Sequence, residues 1–278
     1  MQDRKEYIGG SDIAAVMGVS RWKTPLQLWA EKTGQVEPPD LSKNEAVEMG
    51  IELEDTVARL FTKRTGLVVR RSPKRYQHPD YPYFACQVDR LVTGTDELLE
   101  CKTASAYVAK EWEGEEIPTE YILQVQWQLM ITGRTTGWIA VLIGGQKFAC
   151  RKIESDSVLQ EQMIEAALKF WDMVQNKIAP IAMADDNSFL VQLYPKAGEL
   201  VKEAAQDIND AIALLQQTKA QIIDLEKTKD EVESKIKAAI GEFKGLKTQE
   251  YTAKWINVKG STFTVTKPDS RQLRISRN

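Results

Sequence analysis

Helical spacing of apolar residues marks five segments in the first 178 residues of the chain. A polar cap residue stands before most of these segments and glycine follows several, which is how helices begin and end. The segments are residues 11–18, 24–34, 43–66, 118–133 and 155–177. We predict a helix in each, with Ser11 and Asp12 as a capping pair, Thr24 as an N-cap and Gly66 as a terminator.

Short apolar or alternating runs between these segments predict strands. They are residues 67–72, 84–92, 98–104, 137–145 and 147–154. We expect residues 84–92 to form one strand, and the turn at 93–97 to fold the next strand back beside it. Mixed helices and strands predict an α/β fold for this part of the chain.

The pattern changes after residue 199. From 199 to 243 there is no proline and no glycine before Gly241, and apolar residues recur at alternating steps of three and four. Over about six repeats this heptad spacing predicts one long helix of coiled-coil character, about 65 Å long if unbroken. Such a helix packs within its own chain or serves as an oligomerisation or docking arm.

A β-hairpin is expected after the long helix, within residues 250–267, with its turn near Lys259 and Gly260. We therefore place a first domain at residues 1–180. A second part, residues 181–278, would hold the helical arm and the hairpin tail.

Composition narrows the chemistry. With 37 Lys and Arg against 40 Asp and Glu in 278 residues, a uniformly basic nucleic-acid-binding surface is excluded but a local basic groove is not. Three cysteines without a CxxC pair, and the single His78, argue against cysteine-ligated clusters and exclude a multi-histidine zinc site. No apolar run has the length of a membrane span and the first residues do not form a signal peptide, so we expect a cytoplasmic protein. If the protein is an enzyme, we expect its catalytic groups to be carboxylates, lysines and a hard metal ion.

Three residues that could perform chemistry are predicted to lie together on the sheet. Glu100 and Lys102 are two apart on one strand and share a face, whereas Cys101 points to the other face. The turn at 93–97 would bring Asp89 beside them. Two carboxylates and a backbone carbonyl suit Mg²⁺, and a nearby lysine can orient water or neutralise developing charge. The alternative is that these three residues belong to an edge hairpin with an exposed salt bridge, because such residue types are common on protein surfaces.

The helix at 118–133 carries two amides on one face. Gln124 and Gln128 are four residues apart, with Tyr121 one turn earlier. A buried amide needs hydrogen-bond partners. For Gln128 we favour a polar helix edge that meets water.

Taken in order, several motifs resemble one family of nucleases. They are Ser-Asp at 11–12, GIELED at 50–55, VDR at 88–90, LLECK at 98–102 and YILQVQWQLMITG at 121–133. This set resembles the lambda-exonuclease/YqaJ viral recombinase family, phage-type nucleases of the PD-(D/E)xK superfamily, over residues 4–175. The resemblance implies a restriction-endonuclease-like core, in which helices flank a mixed central sheet.

The resemblance assigns the metal site and the catalytic lysine. Asp89 and Glu100 would be metal ligands, the Cys101 carbonyl a third, and Lys102 the catalytic lysine. Glu54 matches a helix glutamate near a second metal position. The implied cofactor is Mg²⁺, with Mn²⁺ as a substitute and two ions bound.

Further residues match catalytic and DNA-binding positions of the family. Gln124 matches the first glutamine of the QxQ helix, and Arg4 and Ser11 match the pair that holds the 5′-phosphate of a DNA end. Basic and aromatic clusters add Trp22 and Arg71, which would stack on an unpaired base and contact phosphates. Otherwise Trp22 caps the core and Arg71 is solvated.

The chain departs from the family pattern beside the first carboxylate. The family usually has Pro-Asp-Gly where this chain has Val88, Asp89 and Arg90, and often a small residue in place of Gln87. Lys102 is followed by threonine where Cys-Pro is common. No ligand is lost, but the local strand geometry is open to change.

The implied function is Mg²⁺-dependent hydrolysis of DNA. The 5′ strand of linear duplex would be degraded to leave 3′ single strands for phage recombination. Implied partners are DNA ends, a single-strand annealing protein and further copies in a toroidal trimer, within the cytoplasm of a bacterial host. Two alternatives stay open: an endonuclease of the same superfamily, and a non-catalytic module that binds DNA ends or proteins.

Overall fold

The chain forms two units in the computed structural model, which describes residues 4–199, 201–262, 264 and 273–275. By their contacts the units are Met1–Leu193 and Tyr194–Asn278. In the described ranges, no helix combines the length and the apolar character needed to cross a membrane.

Five of the helices described in the first unit follow the predicted segments, and a sixth, at residues 187–193, lies outside them. They are α1 (Ile13–Val16), α2 (Pro25–Lys32), α3 (Glu45–Thr65), α4 (Thr119–Thr132), α5 (Ser157–Gln175) and α6 (Asn187–Leu193). Thr24 caps α2 in a capping box with Gln27, and Gly66 ends α3 in the left-handed conformation. Both ends are set by local chemistry, and helix α3 passes through Gly50 unbroken.

The expected capping pair of α1 is wrong. This helix has four residues, and Asp12 makes no side-chain cap bond to it. The Asp12 carboxylate accepts instead from the amide of Gly9 and the ammonium of Lys32. Ser11 accepts from Arg4. Both side chains therefore hold the segment that precedes the helix.

Seven strands complete the part of the first unit that the structure describes. They are β1 (Val69–Arg71), β2 (Arg75–Gln77), β3 (Ala85–Gln87), β4 (Arg90–Val92), β5 (Glu97–Ala104), β6 (Thr136–Ile143) and β7 (Lys147–Glu154). Five form a mixed sheet in the order β1-β4-β5-β6-β7, in which only β5 and β6 are parallel. Helix α4 lies in the connection between those two strands, as a parallel pair requires.

The expectation of one strand through residues 84–92 is wrong. β3 pairs with β2 in a separate ribbon, whereas β4 pairs with β1 and β5 in the main sheet. Val88 and Asp89 lie between them. Alternating side chains indicate extended backbone but do not choose its partner, so the pattern could not show the break. The break places Asp89 where the ribbon and the sheet meet.

Hydrophobic clusters cover both faces of the main sheet. On one face, Val57 and Phe61 of α3 pack with Leu99 and Leu142. On the other face, the remaining helices pack around the fully buried Trp127 of α4. The sheet is thus enclosed between helices, which confirms the α/β architecture.

The described residues of the second unit form one long helix and a hairpin. Helix α7 (Gln206–Ile240) has 35 residues and a length of about 52 Å, and apolar residues of its heptad seam such as Ile222 and Leu225 are exposed. Helix α7 is shorter than the expected 199–243, and residues 201–205 are not helical.

The hairpin pairs β8 (Gly245–Lys247) with β9 (Thr252–Lys254). Its turn differs from the predicted one at Lys259 and Gly260. The hydroxyl of Thr248 accepts from the amides of Glu250 and Tyr251 and so closes the turn earlier. Residues 263 and 265–267 of the expected second strand lie outside the described residues.

Candidate active site

Two carboxylates border one cavity at the break between β3 and β4. Asp89 and Glu100 both line this cavity, whose volume is about 210 Å³. The amide of Cys101 donates to Oδ2 of Asp89 at 2.8 Å. In a strand the N–H and C=O of one residue point to the same side, so the Cys101 carbonyl also faces the side of Asp89. The residues predicted as a metal set therefore adjoin one another.

Three donors hold the carboxylate of Glu100, which is 3% exposed. Its Oε1 accepts from Nζ of Lys102 at 2.7 Å and from Nε2 of Gln124 at 2.5 Å. Its Oε2 accepts from Nε2 of Gln128 at 2.7 Å. The carboxylate is fixed from two sides, by its own strand and by α4.

The interpretation of Gln128 as a water-facing residue is wrong. Its side chain is buried, and its Nε2 also donates to the carbonyl of Gln87 at 2.9 Å. Gln128 therefore links the end of β3 to Glu100. The four-residue spacing from Gln124 places both amides on one helix face, and the packing of α4 turns that face toward the sheet.

Lys102 is a half-buried cation next to this carboxylate. Burial lowers the pKa of Lys102, but attraction to Glu100 outweighs it, so the pKa lies above its ordinary value. Its ammonium donates to Oε1 of Gln124 at 2.9 Å and lies 5.3 Å from the ring centre of Tyr121. Lys102 is therefore charged and held in one position.

The environment of Asp89 fits a divalent cation. Burial raises the pKa of Asp89 to about 8, with a further contribution from the negative charge of Glu100. A cation between the two carboxylates would relieve both effects. Among the described residues there is no group of three or more His, Cys, Asp or Glu side chains placed to hold an ion. The candidate set is thus two carboxylates and one carbonyl, hard oxygen donors that suit Mg²⁺.

Glu54 lies beside this site but is bound to an arginine. Its Oε1 accepts from Nη1 of Arg90 at 2.5 Å. Arg90 also donates to Asp55 of the same helix, and Asp55 accepts from Arg71 as well. The arginine that replaces the glycine of the family pattern is therefore part of a compact ion-pair network.

The predicted phosphate-binding pair borders the same cavity. Arg4 and Ser11 line it together with Gly9 and Gly10. Nη2 of Arg4 donates to Oγ of Ser11 at 2.8 Å and lies 3.5 Å from Oδ1 of Asp12. The Arg4 side chain is well exposed, so its guanidinium is accessible to a ligand.

Lys32 fixes the segment that carries this pair. Its buried ammonium donates to the carbonyls of Arg4 and Tyr7 and to the Asp12 carboxylate. Burial lowers the pKa of Lys32, and Asp12 opposes that change. Ile8 forms a bridge to Phe84, just before β3. The segment is thus attached both to α2 and to the strand that leads to Asp89.

The remaining DNA-binding candidates are exposed. The ring of Trp22 is 62% exposed and lies 5.9 Å from the ring of Tyr121, which in turn contacts Lys102. Arg71 projects from β1 and pairs with Asp55. Contact of either residue with DNA stays a prediction.

The mixed sheet, with Glu100 and Lys102 together on its strand β5, has the fold class that the sequence motifs predicted. Residues 1–135 match the YqaJ-like viral recombinase domain. The chain is 42% identical over 248 residues to the uncharacterized protein YqaJ of Bacillus subtilis (strain 168). The aligned residues cover 84% of this chain and 75% of that protein. The chain belongs to the YqaJ-like viral recombinase family, as its motifs predicted.

Solved exonuclease structures share the fold. The alkaline exonuclease LHK-Exo from Laribacter hongkongensis superposes with a TM-score of 0.54 at 22% identity, over 63% of this chain and 91% of that one. LHK-Exo in complex with dAMP gives the same TM-score and identity over 68% of this chain and 93% of that one. At this level of identity the likeness concerns the fold.

Proposed function

We propose that this protein is a Mg²⁺-dependent DNA exonuclease that degrades the 5′ strand of linear duplex and leaves 3′ single strands. One observation carries the proposal. The carboxylates of Asp89 and Glu100 share a cavity with Arg4 and Ser11, and Lys102 is bonded to Glu100 at the same place. The cavity thus combines a candidate cation site with donors suited to a phosphate.

The proposed metal ligands are Asp89, Glu100 and the carbonyl of Cys101, with Mn²⁺ able to replace Mg²⁺. A divalent ion there would polarise the scissile phosphate and lower the pKa of a bound water.

Protein groups supply the remaining steps. Lys102 places a permanent charge where negative charge develops on the phosphate oxygens. Gln124 and Gln128 hold Glu100 in one orientation, so that little reorganisation is needed during reaction. Gln124 also bonds to Lys102 and thereby fixes the distance between acid and amine.

Arg4 and Ser11 are proposed to bind the terminal 5′-phosphate. A guanidinium and a hydroxyl are strong donors to phosphate oxygens. Trp22 would stack on a base at the opened end, and Arg71 would contact backbone phosphate. In this proposal the arrangement gives the enzyme a preference for ends and for the 5′ strand.

End-labelled linear duplex tests the activity and its polarity. We expect release of the 5′ label with Mg²⁺, retention of the 3′-labelled strand, no release with a chelator, and no cutting of closed circular DNA. Cutting of the circle would favour the endonuclease alternative. Early release of the 3′ label would contradict the polarity. Release of neither label would favour a non-catalytic module.

Substitutions test the site. We expect Asp89→Asn, Glu100→Gln and Lys102→Met each to lower the rate by at least about 100-fold, since each removes a charge that acts in the transition state. The matched control is Lys152→Met on β7. Lys152 pairs with Glu154, also two residues along its strand, but at an exposed position. Lys152→Met should leave the rate unchanged. A fall in rate as large as that of Lys102→Met would contradict the assignment.

The phosphate role of Arg4 has its own test. Arg4→Ala should abolish any preference for 5′-phosphorylated over 5′-hydroxyl ends. Lys5→Ala is the control, because the ammonium of Lys5 bonds to Glu37. A preserved preference in Arg4→Ala would contradict the role.

For partners we propose duplex DNA ends, a single-strand annealing protein and a homo-trimer, in the bacterial cytoplasm. These assignments rest on the family resemblance of the sequence motifs. Light scattering tests assembly, with three copies of the 31.5 kDa chain expected in the particle. Co-purification of an annealing protein expressed with this chain tests the second partner.

A further inference from the structure

Arg90 places a permanent positive charge next to the candidate metal site. Its side chain is 4% exposed. Nη1 donates to Oε1 of Glu54 at 2.5 Å and to the carbonyl of Asp89 at 2.7 Å, while Nη2 donates to Oδ1 of Asp55 at 2.6 Å. A buried guanidinium stays protonated and needs anionic partners. Glu54 is one of those partners.

Glu54 is also the carboxylate that the family pattern assigns to a second metal position. A divalent ion bound to Glu54 would either displace the buried guanidinium or lie beside its charge. The first deprives a buried cation of one of its two carboxylate partners, Glu54 and Asp55, and the second is repulsive, so both are costly. The family pattern has glycine in place of Arg90, and glycine supplies no charge.

We propose that Arg90 takes the place of a second ion, and that this chain binds a single divalent ion at Asp89 and Glu100. The inference rests on the proposed function and specifies the stoichiometry of its metal site. Arg90 is also a positioning residue, because its bond to the Asp89 carbonyl fixes the main chain next to a ligand.

Titration of the full chain with Mn²⁺, followed by electron paramagnetic resonance of the free ion, counts the bound ions without any measurement of activity. We expect one ion per chain in the wild type and in Glu54→Gln, and none in Asp89→Asn. Arg90→Gly should release Glu54 and bind a second ion. Arg71→Ala is the matched control, since it removes an arginine from Asp55 and leaves the Arg90–Glu54 pair intact.

Circular dichroism establishes that each variant is folded. If Arg90→Gly does not fold, the wild type and Glu54→Gln still decide the question. Two ions in the wild type would overturn the inference and leave the site at Asp89 and Glu100 standing. No bound Mn²⁺ in the wild type would overturn the proposed metal site and the inference together.

Discussion

At the scale of single residues, the carboxylate of Glu100 is held in one orientation by three hydrogen bonds. Lys102 and Gln124 bond to one of its oxygens and Gln128 to the other. A carboxylate held in this way loses little entropy when it binds a cation or a substrate. Gln128 contributes without lining the cavity.

Substitution of Gln128 tests this contribution. Gln128→Leu removes the donor to Oε2 of Glu100, and we expect the nuclease rate to fall by about 10- to 100-fold, since a bond to a charged group is worth about 1.5–3 kcal/mol. The control is Gln126→Leu on the same helix. Gln126 is also buried, but it bonds to the carbonyl of Glu154 and the amide of Asp156.

Rates are measured on linear duplex at temperatures where both variants are folded. Equal losses in the two variants would show that the bond of Gln128 to Glu100 matters no more for the rate than the bonds of another buried amide of α4. That result would remove the special role assigned to Gln128.

Residue chemistry was predictable from sequence only where spacing decides it. The two-residue step from Glu100 to Lys102 fixes a common face, and the structure has them bonded. Gln128 was misjudged because the rotation of α4 against the sheet depends on packing with distant residues. The role of Arg90 was equally hidden, because its partners Glu54 and Asp55 lie 35 or more positions earlier.

At the scale of elements, α2 shows how a cap connects distant parts of the first unit. The hydroxyl of Thr24 accepts from the amide of Gln27 and donates to Oδ1 of Asp186 at 2.5 Å. Asp186 lies in the short turn before α6 and is fully buried. The Thr24 side chain thus accepts from a free amide at the start of one helix and anchors the segment that leads to another.

We expect Thr24→Ala to destabilise the first unit by about 2 kcal/mol, since it removes a cap and leaves a buried carboxylate short of a donor. Thr33→Ala is the control at the other end of α2, where the hydroxyl bonds to the carbonyl of Trp29. Its effect should stay within about 0.5 kcal/mol. Urea unfolding measures both, and equal losses would contradict the bridging role of Thr24.

Elements were predictable in proportion to how local their signals are. Thr24 and Gly66 mark helix ends through contacts within one turn, and both predictions hold. The break at Val88 and Asp89 depends on which distant strand each half joins. A hairpin was expected within residues 250–267, but the observed one begins at Gly245 and turns at Thr248 instead of Gly260, because the Thr248 hydroxyl closes the turn earlier.

At the scale of the whole molecule, the contacts divide the chain after Leu193, whereas the pattern placed a domain end at 180. The segment between them includes Phe189, which is buried in the main core, and Asp186, the partner of Thr24. Both would be lost from a chain that stops at 180.

Two truncations separate these boundaries. We expect a chain of residues 1–193 to keep the thermal midpoint of the first unit, and a chain of residues 1–180 to lose about 3–5 kcal/mol, the usual cost of removing a buried phenylalanine. Thermal unfolding followed by circular dichroism compares them. Equal midpoints would favour the boundary at 180.

The short step between β3 and β4 also limits how this gene can change. Gln87 is the last residue of one ladder and Arg90 the first of another, so the interval has fixed ends. Insertion or deletion of a single codon there would distort the connection at Asp89 or shift one ladder by a residue, and such a shift would turn Cys86 or Leu91 out of the core. Descendants of this sequence should therefore vary in loop length elsewhere and keep that interval constant.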